Sequence, residues 1–329
     1  MELERLLQGA HRVALGGHVR PDGDCVGSTL GLYQYLQKNY PEITVDVYLE
    51  PVPDSFRFIG AAADIRSEVT ETETYDLFIL LDCGDSDRLG FSKMLYEQAG
   101  RTACIDHHIS NQAFADENEI DPDASSTSEL VYRLLDKEKI TKEIAECLYL
   151  GIVHDTGVFQ YSCTAPETME AAAELMRKGI DYSGIIDRTF YQKSYVQNQV
   201  LGKALLDSKL LLDGKCIASF LTKEEMDVYG VKPKELDGIV SQLRMTKGVE
   251  VAIFLYELSH HEFKVSLRAT GEVDVSRIAQ QFGGGGHKKA AGVTMKGSAE
   301  EILSRLVEEI QNSSRNRQKK MEKRKAEDR

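Results

Sequence analysis

No stretch of the 329-residue chain approaches the ~20 apolar residues that a membrane-spanning helix needs. The opening residues, MELERLLQGAHRV, mix acidic, basic and apolar types without the layout of a secretion signal. No two of the six cysteines (Cys25, Cys83, Cys104, Cys147, Cys163, Cys216) are spaced as CxxC, which argues against a zinc ribbon and against a disulfide framework. A reducing, cytoplasmic setting without membrane attachment is therefore expected. Positive charge is in short supply as well: 40 Lys and Arg stand against 53 Asp and Glu, a net charge of −13. A protein that grips long DNA or RNA by its phosphates needs a basic surface. The acidic balance instead favours a small anionic substrate neutralised by bound metal.

The content that remains is that of a globular protein, 42% hydrophobic and 28% charged. The length exceeds that at which one core usually stops growing, so two domains are expected. In the first half, VALGG (13–17), TVDVYL (44–49), YDLFILLD (75–82) and TACID (102–106) read as strands, the last two ending abruptly at Asp. Between and after them, 28–39 and 142–155 have helical spacing, and Ser126-Thr-Ser-Glu129 reads as a capping box opening another helix. Strand–helix alternation implies a mostly parallel sheet covered by helices. A polar, amphipathic helical connector follows over 188–207, and then a smaller mixed α/β unit over 208–312, with strand runs KLLLD, CIASFLT, VEVAIFLYEL and EFKVSLRAT. The end, 313–329, has eight Lys/Arg, three Asp/Glu and no apolar period, and reads as a disordered solvated tail.

Histidine is scarce, eight in all, yet five (His18, His107, His108, His154, His287) sit beside Asp or Gly. His18, Asp22 and Asp24 share one loop after a strand, with Gly23 allowing a tight turn, so an imidazole and two carboxylates could be aimed at cations. The plain alternative is a helix cap by Asp24 or Ser28. Asp82 ends a buried strand, where a carboxylate is costly unless paired or bound to metal; Arg88, shortly after, could clamp a phosphate oxygen. His107 and His108 follow another strand end. In an extended segment neighbouring side chains point opposite ways, so one can bind metal while the other faces substrate. Asp155 closes an apolar helix, against the helix dipole. Such a donor set suits two octahedral divalent ions, Mn²⁺ ahead of Mg²⁺ because of the imidazoles, with Co²⁺ a further candidate. A pair of ions of this kind activates water and stabilises a leaving oxygen.

The ordered set HVRPDGD, LLDCGDSDRLG, IDHHISN and GIVHDTGVF resembles the four motifs of the DHH phosphoesterase superfamily, and SLRATGEVDVSRIAQQFGGGGHKKAAG resembles its DHHA1 domain. The resemblance covers nearly everything but the tail. It implies a parallel-sheet catalytic domain over 1–187 and a DHHA1 substrate-binding domain over 208–312. It places His18, Asp22 and Asp82 on one ion and Asp24, Asp82, His107 and Asp155 on the other, with Asp82 bridging. His108 would face the scissile phosphate, with Arg88 and Asn111 as phosphate neighbours. In the second domain, Arg268 and the loop Gly284, Gly285, Gly286 and His287 would hold the end of the substrate remote from the ions. The size and domain pairing resemble the small oligoribonucleases that also dephosphorylate 3′-phosphoadenosine 5′-phosphate (pAp). Partners are then short single-stranded RNA or DNA oligonucleotides or small nucleotides, and a homodimer is admitted. A cyclic-dinucleotide phosphodiesterase and a single-strand exonuclease of the same superfamily stay open, whereas the intact ligand set argues against a binding module without turnover.

Overall fold

The computed structural model describes residues 1–69, 73–271 and 273–327, without the side chains of His287 and 314–327. The chain divides into two compact units, Met1–Gln192 and Lys193–Arg329.

In the first unit, apolar runs rich in Val, Ile and Leu form short strands: β1 Arg12–Gly16, β2 Thr44–Tyr48, β3 Ile65–Arg66, β4 Leu77–Leu81, β5 Arg101–Asp106 and β6 Glu117–Ile120. They pair in the order β3-β2-β1-β4-β5-β6, every pairing parallel. The mostly parallel sheet expected from strand–helix alternation is thus found, and its pairings are parallel throughout. Leu77–Leu81 are buried on both faces, as a central parallel strand requires. The helices are α1 Leu3–Leu7, α2 Gly23–Asn39, α3 Lys93–Gln98, α4 Thr127–Leu134, α5 Lys142–Asp155, α6 Pro166–Arg177 and α7 Tyr182–Ile186. Because β1 is flanked by β2 on one side and β4 on the other, the strand order reverses between β1 and β4. Ligands in open parallel sheets collect at the carboxyl ends of such a switch point, and the motifs at 18–24 and 82 stand there.

Close approach of α2 to α5 depends on three glycines. A Cβ on Gly27 would lie 2.4 Å from the Cys147 carbonyl oxygen, and one on Gly31 would lie 2.7 Å from the Leu148 side chain. A Cβ on Gly151 would fall 1.9 Å from Ser128 Oγ and 2.5 Å from Asp24 Oδ1. Only a hydrogen there lets α4 and α5 close around Asp24.

The second unit contains the helix α8 Tyr195–Leu206, then β7 Lys209–Leu211, β8 Cys216–Leu221, α9 Lys223–Tyr229, α10 Ile239–Arg244, β9 Val251–Ser259, β10 Glu262–Ala269, α11 Val275–Gln281, β11 Gly285–His287, β12 Ala290–Lys296 and α12 Ala299–Glu327. Its sheet, ordered β11-β12-β10-β9-β8-β7, is mixed: β8 and β9 are parallel and the other pairings antiparallel. The stretch 188–207, expected as a connector, is divided instead. Asp187–Tyr191 forms a π turn closing the first unit. Helix α8 buries Val200 and Ala204 in a cluster with Ile217, Ala252 and Phe254, so its apolar positions make it part of the second core. The helix α12 runs into the basic end. Where a disordered tail was expected over 313–329, the backbone continues α12 to Glu327; residues 328 and 329 lie outside those described. All six cysteines are free thiols. Among the described residues no helix is long and apolar enough to cross a membrane.

Candidate metal centre

Strand β1 delivers His18 just beyond its carboxyl end, where the ring is buried. His18 Nδ1 lies 2.9 Å from the Val19 carbonyl oxygen. A carbonyl can only accept, so Nδ1 carries a proton and Nε2 is left to face Asp22 Oδ1 at 3.6 Å and Asp82 Oδ2 at 3.4 Å. Metal-binding imidazoles are fixed in this manner, with one nitrogen tied to a backbone carbonyl. The loop expected to hold all three polar groups is shorter than the motif. Asp22 is the N-cap of α2, accepting from Asp24 N at 3.2 Å and Cys25 N at 3.1 Å, and Asp24 already lies in the first turn. The capping residue is therefore Asp22 rather than Asp24 or Ser28.

Asp24 is fully buried and receives two backbone N–H groups from the start of α4, Thr127 N at 2.6 Å and Ser128 N at 2.8 Å. Asp82 follows β4 with φ +53, a left-handed conformation that a non-glycine residue adopts only at a cost. It accepts from Thr127 Oγ1 at 3.2 Å. His107, after β5, repeats the His18 arrangement: Nδ1 is 3.3 Å from the Ala124 carbonyl, and Nε2 is 2.9 Å from Asp155 Oδ2, 3.8 Å from Asp82 Oδ1 and 4.0 Å from Asp24 Oδ2. Asp155 arrives on the last residue of α5.

These groups form overlapping donor sets. One ligand atom each from His18, Cys25 and Asp82 lies within 4.8 Å of the others, as does one each from Asp24, His107 and Asp155, and from Asp82, His107 and His108. Asp82 is 3.4 Å from His18 and 3.8 Å from His107, so it stands between the two. The electrostatics show a surplus of negative charge. Burial, and then repulsion by Asp82 and Asp155, push the Asp24 carboxyl up. Burial alone would lower the His18 and His107 imidazoles, yet the surrounding carboxylates lift each to about 10. Protons are attracted where cations would sit. The donor chemistry, the backbone-tied imidazoles and the charge surplus all fit metal ions.

His108 is held differently. Its Nδ1 is 2.6 Å from Asp106 Oδ1, which raises its pKa, while a third of its side chain stays exposed. Asp106 is fully buried and its other oxygen accepts from Asn111 Nδ2 at 2.7 Å. Asn111, expected beside phosphate, thus spends its amide on orienting Asp106. Arg88 is exposed, and its carbonyl accepts from Val19 N at 2.7 Å, tying its segment to the His18 loop. Sequence reasoning passed over Asp106, Thr127 and Ser128 as site residues. The signals were a buried acid before two histidines and a cap motif whose free N–H groups need partners.

In the second unit, the buried residues Phe263, Val265, Leu267 and Ala269 of β10 face α11 and α12, and Lys264, Ser266 and Arg268 alternate onto the other face, half-buried. The register puts Arg268, Ala290 and His287 in one cross-strand row and Ser266, Gly292 and Gly285 in the next. The glycines differ in need. Gly286 has φ +141, and a Cβ there would lie 2.4 Å from the Ala290 carbonyl; one on Gly284 would lie 2.4 Å from the Gly292 carbonyl. A Cβ on Gly285 meets nothing within 4 Å. The side chain of His287 lies outside those described.

The model of the DHH family N-terminal domain matches residues 12–152, and that of the DHHA1 domain matches 213–313. The chain belongs to the DHH family. It is similar to the bifunctional oligoribonuclease and PAP phosphatase NrnA of Thermus thermophilus, 30% identical over 306 residues, 91% of this chain and 90% of the relative. The protein of the same name from Bacillus subtilis is 28% identical, over 93% of this chain and 96% of its own. Among solved structures, an exopolyphosphatase-related protein from Bacteroides fragilis superposes with a TM-score of 0.86 at 30% identity, covering 94% of both chains. In DHH terms, the metal centre lies in the first domain and the Arg268 row in the DHHA1 domain.

Proposed function

We propose that this DHH protein is a cytoplasmic two-metal phosphoesterase that hydrolyses short oligonucleotides to mononucleotides and pAp to AMP. The observation that carries the reading is Asp82, one buried carboxylate placed between an imidazole set at His18 and another at His107. His18, Asp22 and Asp82 would hold one ion and Asp24, Asp82, His107 and Asp155 the other, Mn²⁺ being favoured by the mixed imidazole and carboxylate donors. When bound, such a pair supplies an activated water and Lewis-acid stabilisation of the leaving oxygen.

The chain's own residues do the rest. Asp106 raises the pKa of His108, and a third of the His108 side chain stays open to substrate, so His108 supplies positive charge, or a proton, to the phosphate oxygens as charge develops. Arg88 adds a second cation for the phosphate. In the DHHA1 domain, Arg268 and the Gly284–His287 segment bind the far nucleotide, and Gly285 leaves flat space where a side chain would otherwise stand. The substrates are those named by the Thermus and Bacillus relatives, and the acidic chain, at −13, disfavours long nucleic acid.

A substrate panel in Mn²⁺ tests this reading: labelled RNA and DNA of two to twenty nucleotides, pAp and cyclic dinucleotides. Fast cleavage of the shortest RNAs and of pAp is expected. Preference for twenty-nucleotide or cyclic substrates would overturn it.

A further inference from the structure

The turn 124–128 supplies no metal ligand, yet it touches three of the six proposed ones. The Ala124 carbonyl accepts from His107 Nδ1, Thr127 and Ser128 donate both backbone N–H groups to Asp24, and Thr127 Oγ1 donates to Asp82. Underneath lies Glu129, a carboxylate with only 1% of its surface exposed. A Glu at this position in a capping box would reach back to the N-cap nitrogen, that of Ser126. Ser126 does accept from Glu129 N at 3.1 Å, but the Glu129 carboxylate goes elsewhere. Its Oε2 accepts from Ser125 N at 3.3 Å, Ser125 Oγ at 2.5 Å and Thr168 Oγ1 at 2.8 Å, and its Oε1 pairs with Arg133. Capping of α4 is complete without this carboxylate, and burying a charge for no further purpose is costly.

We propose that Glu129 is a positioning residue of the metal centre: it anchors the turn 124–128 to α6, and the turn in turn sets Asp24, Asp82 and His107. This rests on the two-metal reading above. Groups behind metal ligands tune affinity by holding ligand geometry, and their loss typically weakens binding about 10–100-fold.

Glu129→Gln keeps the shape but cannot serve both sides. An amide oxygen turned to Ser125 and Thr168 sets its NH₂ against the Arg133 guanidinium, and the opposite rotamer sets NH₂ against the Ser125 N–H. Calorimetric titration of the metal-free protein with MnCl₂ should show two ions in the unaltered chain and a loss of ~10–100-fold in affinity for the ion held by Asp24, His107 and Asp155 in the variant. Excess Mn²⁺ should restore most of the turnover, which a lesion of folding alone would not permit. Thr168→Val removes a single donor to the carboxylate and should shift the same affinity in the same direction by less, so it serves if Glu129→Gln fails to fold. Two ions bound with unaltered affinity in a folded variant would overturn the proposal while leaving the metal centre intact. Fewer than two ions on the unaltered chain would overturn the metal-centre reading, and this inference with it.

Discussion

The adjacent imidazoles of His107 and His108 are held by different partners. A backbone carbonyl ties the first through Nδ1 and aims Nε2 at Asp155, while the side chain of Asp106 ties the second and leaves a third of it exposed. His108→Ala should therefore leave both ions bound, measured as metal content, while turnover falls by about 10²–10³, the usual cost of losing a charge-stabilising or proton-donating group. Loss of one metal equivalent would make His108 a ligand. At this scale the sequence was readable wherever residue type alone narrowed the chemistry: paired histidines after a strand, and a carboxylate ending an apolar run. It was silent on partners. Whether Asn111 meets a phosphate or steadies Asp106 depends on a rotamer, and the left-handed turn at Asp82 leaves no mark on composition.

Elements long enough to show a period, β1, β4, β5 and α5, could be placed from the sequence because burial on a parallel sheet imposes apolar runs and helical repeats. Strand β6 reads ENEI and β3 has two residues, so neither carries such a pattern; both exist because an edge was there to pair with. The packing of α2, α4 and α5 was equally hidden, since a glycine inside a helix looks like a weakness until its neighbour is known. Gly151→Ala tests that contact. Its methyl would enter the space of Ser128 Oγ and Asp24 Oδ1, and overpacking of this kind costs about 1–3 kcal/mol. Chemical denaturation should show that loss, with weaker Mn²⁺ binding alongside it because Asp24 is displaced. Unchanged stability and metal affinity would mean that the helices part more easily than the geometry implies.

The whole molecule consists of two units with separate cores, and the account gives them separate duties. The first should set the chemical step for any phosphodiester. The second should act only on substrates long enough to reach it, since remote binding positions the reacting phosphate. Arg268→Ala should lower kcat/KM on two- to five-nucleotide RNAs by about 10–10³, the range for one or two lost charged hydrogen bonds. Hydrolysis of bis(p-nitrophenyl) phosphate should stay nearly constant, and equal losses on both substrates would contradict the division. The two-unit layout was legible from length and from the change in strand pattern. The exact division was not, because an amphipathic helix between two domains can bury its apolar side on either, and only the packing of Val200 and Ala204 with Ile217, Ala252 and Phe254 assigns α8 to the second.

The most direct test of the account is release of mononucleotide from a labelled dinucleotide in Mn²⁺, compared between the unaltered chain and Asp82→Ala at equal concentration. Asp82 is shared by both proposed ions, so its loss should disable the activated water and the leaving-group stabilisation together. The unaltered chain should release mononucleotide rapidly and the variant none that can be detected. Appreciable release by Asp82→Ala with its metal content unchanged would remove Asp82 from the bridge and contradict the two-metal centre.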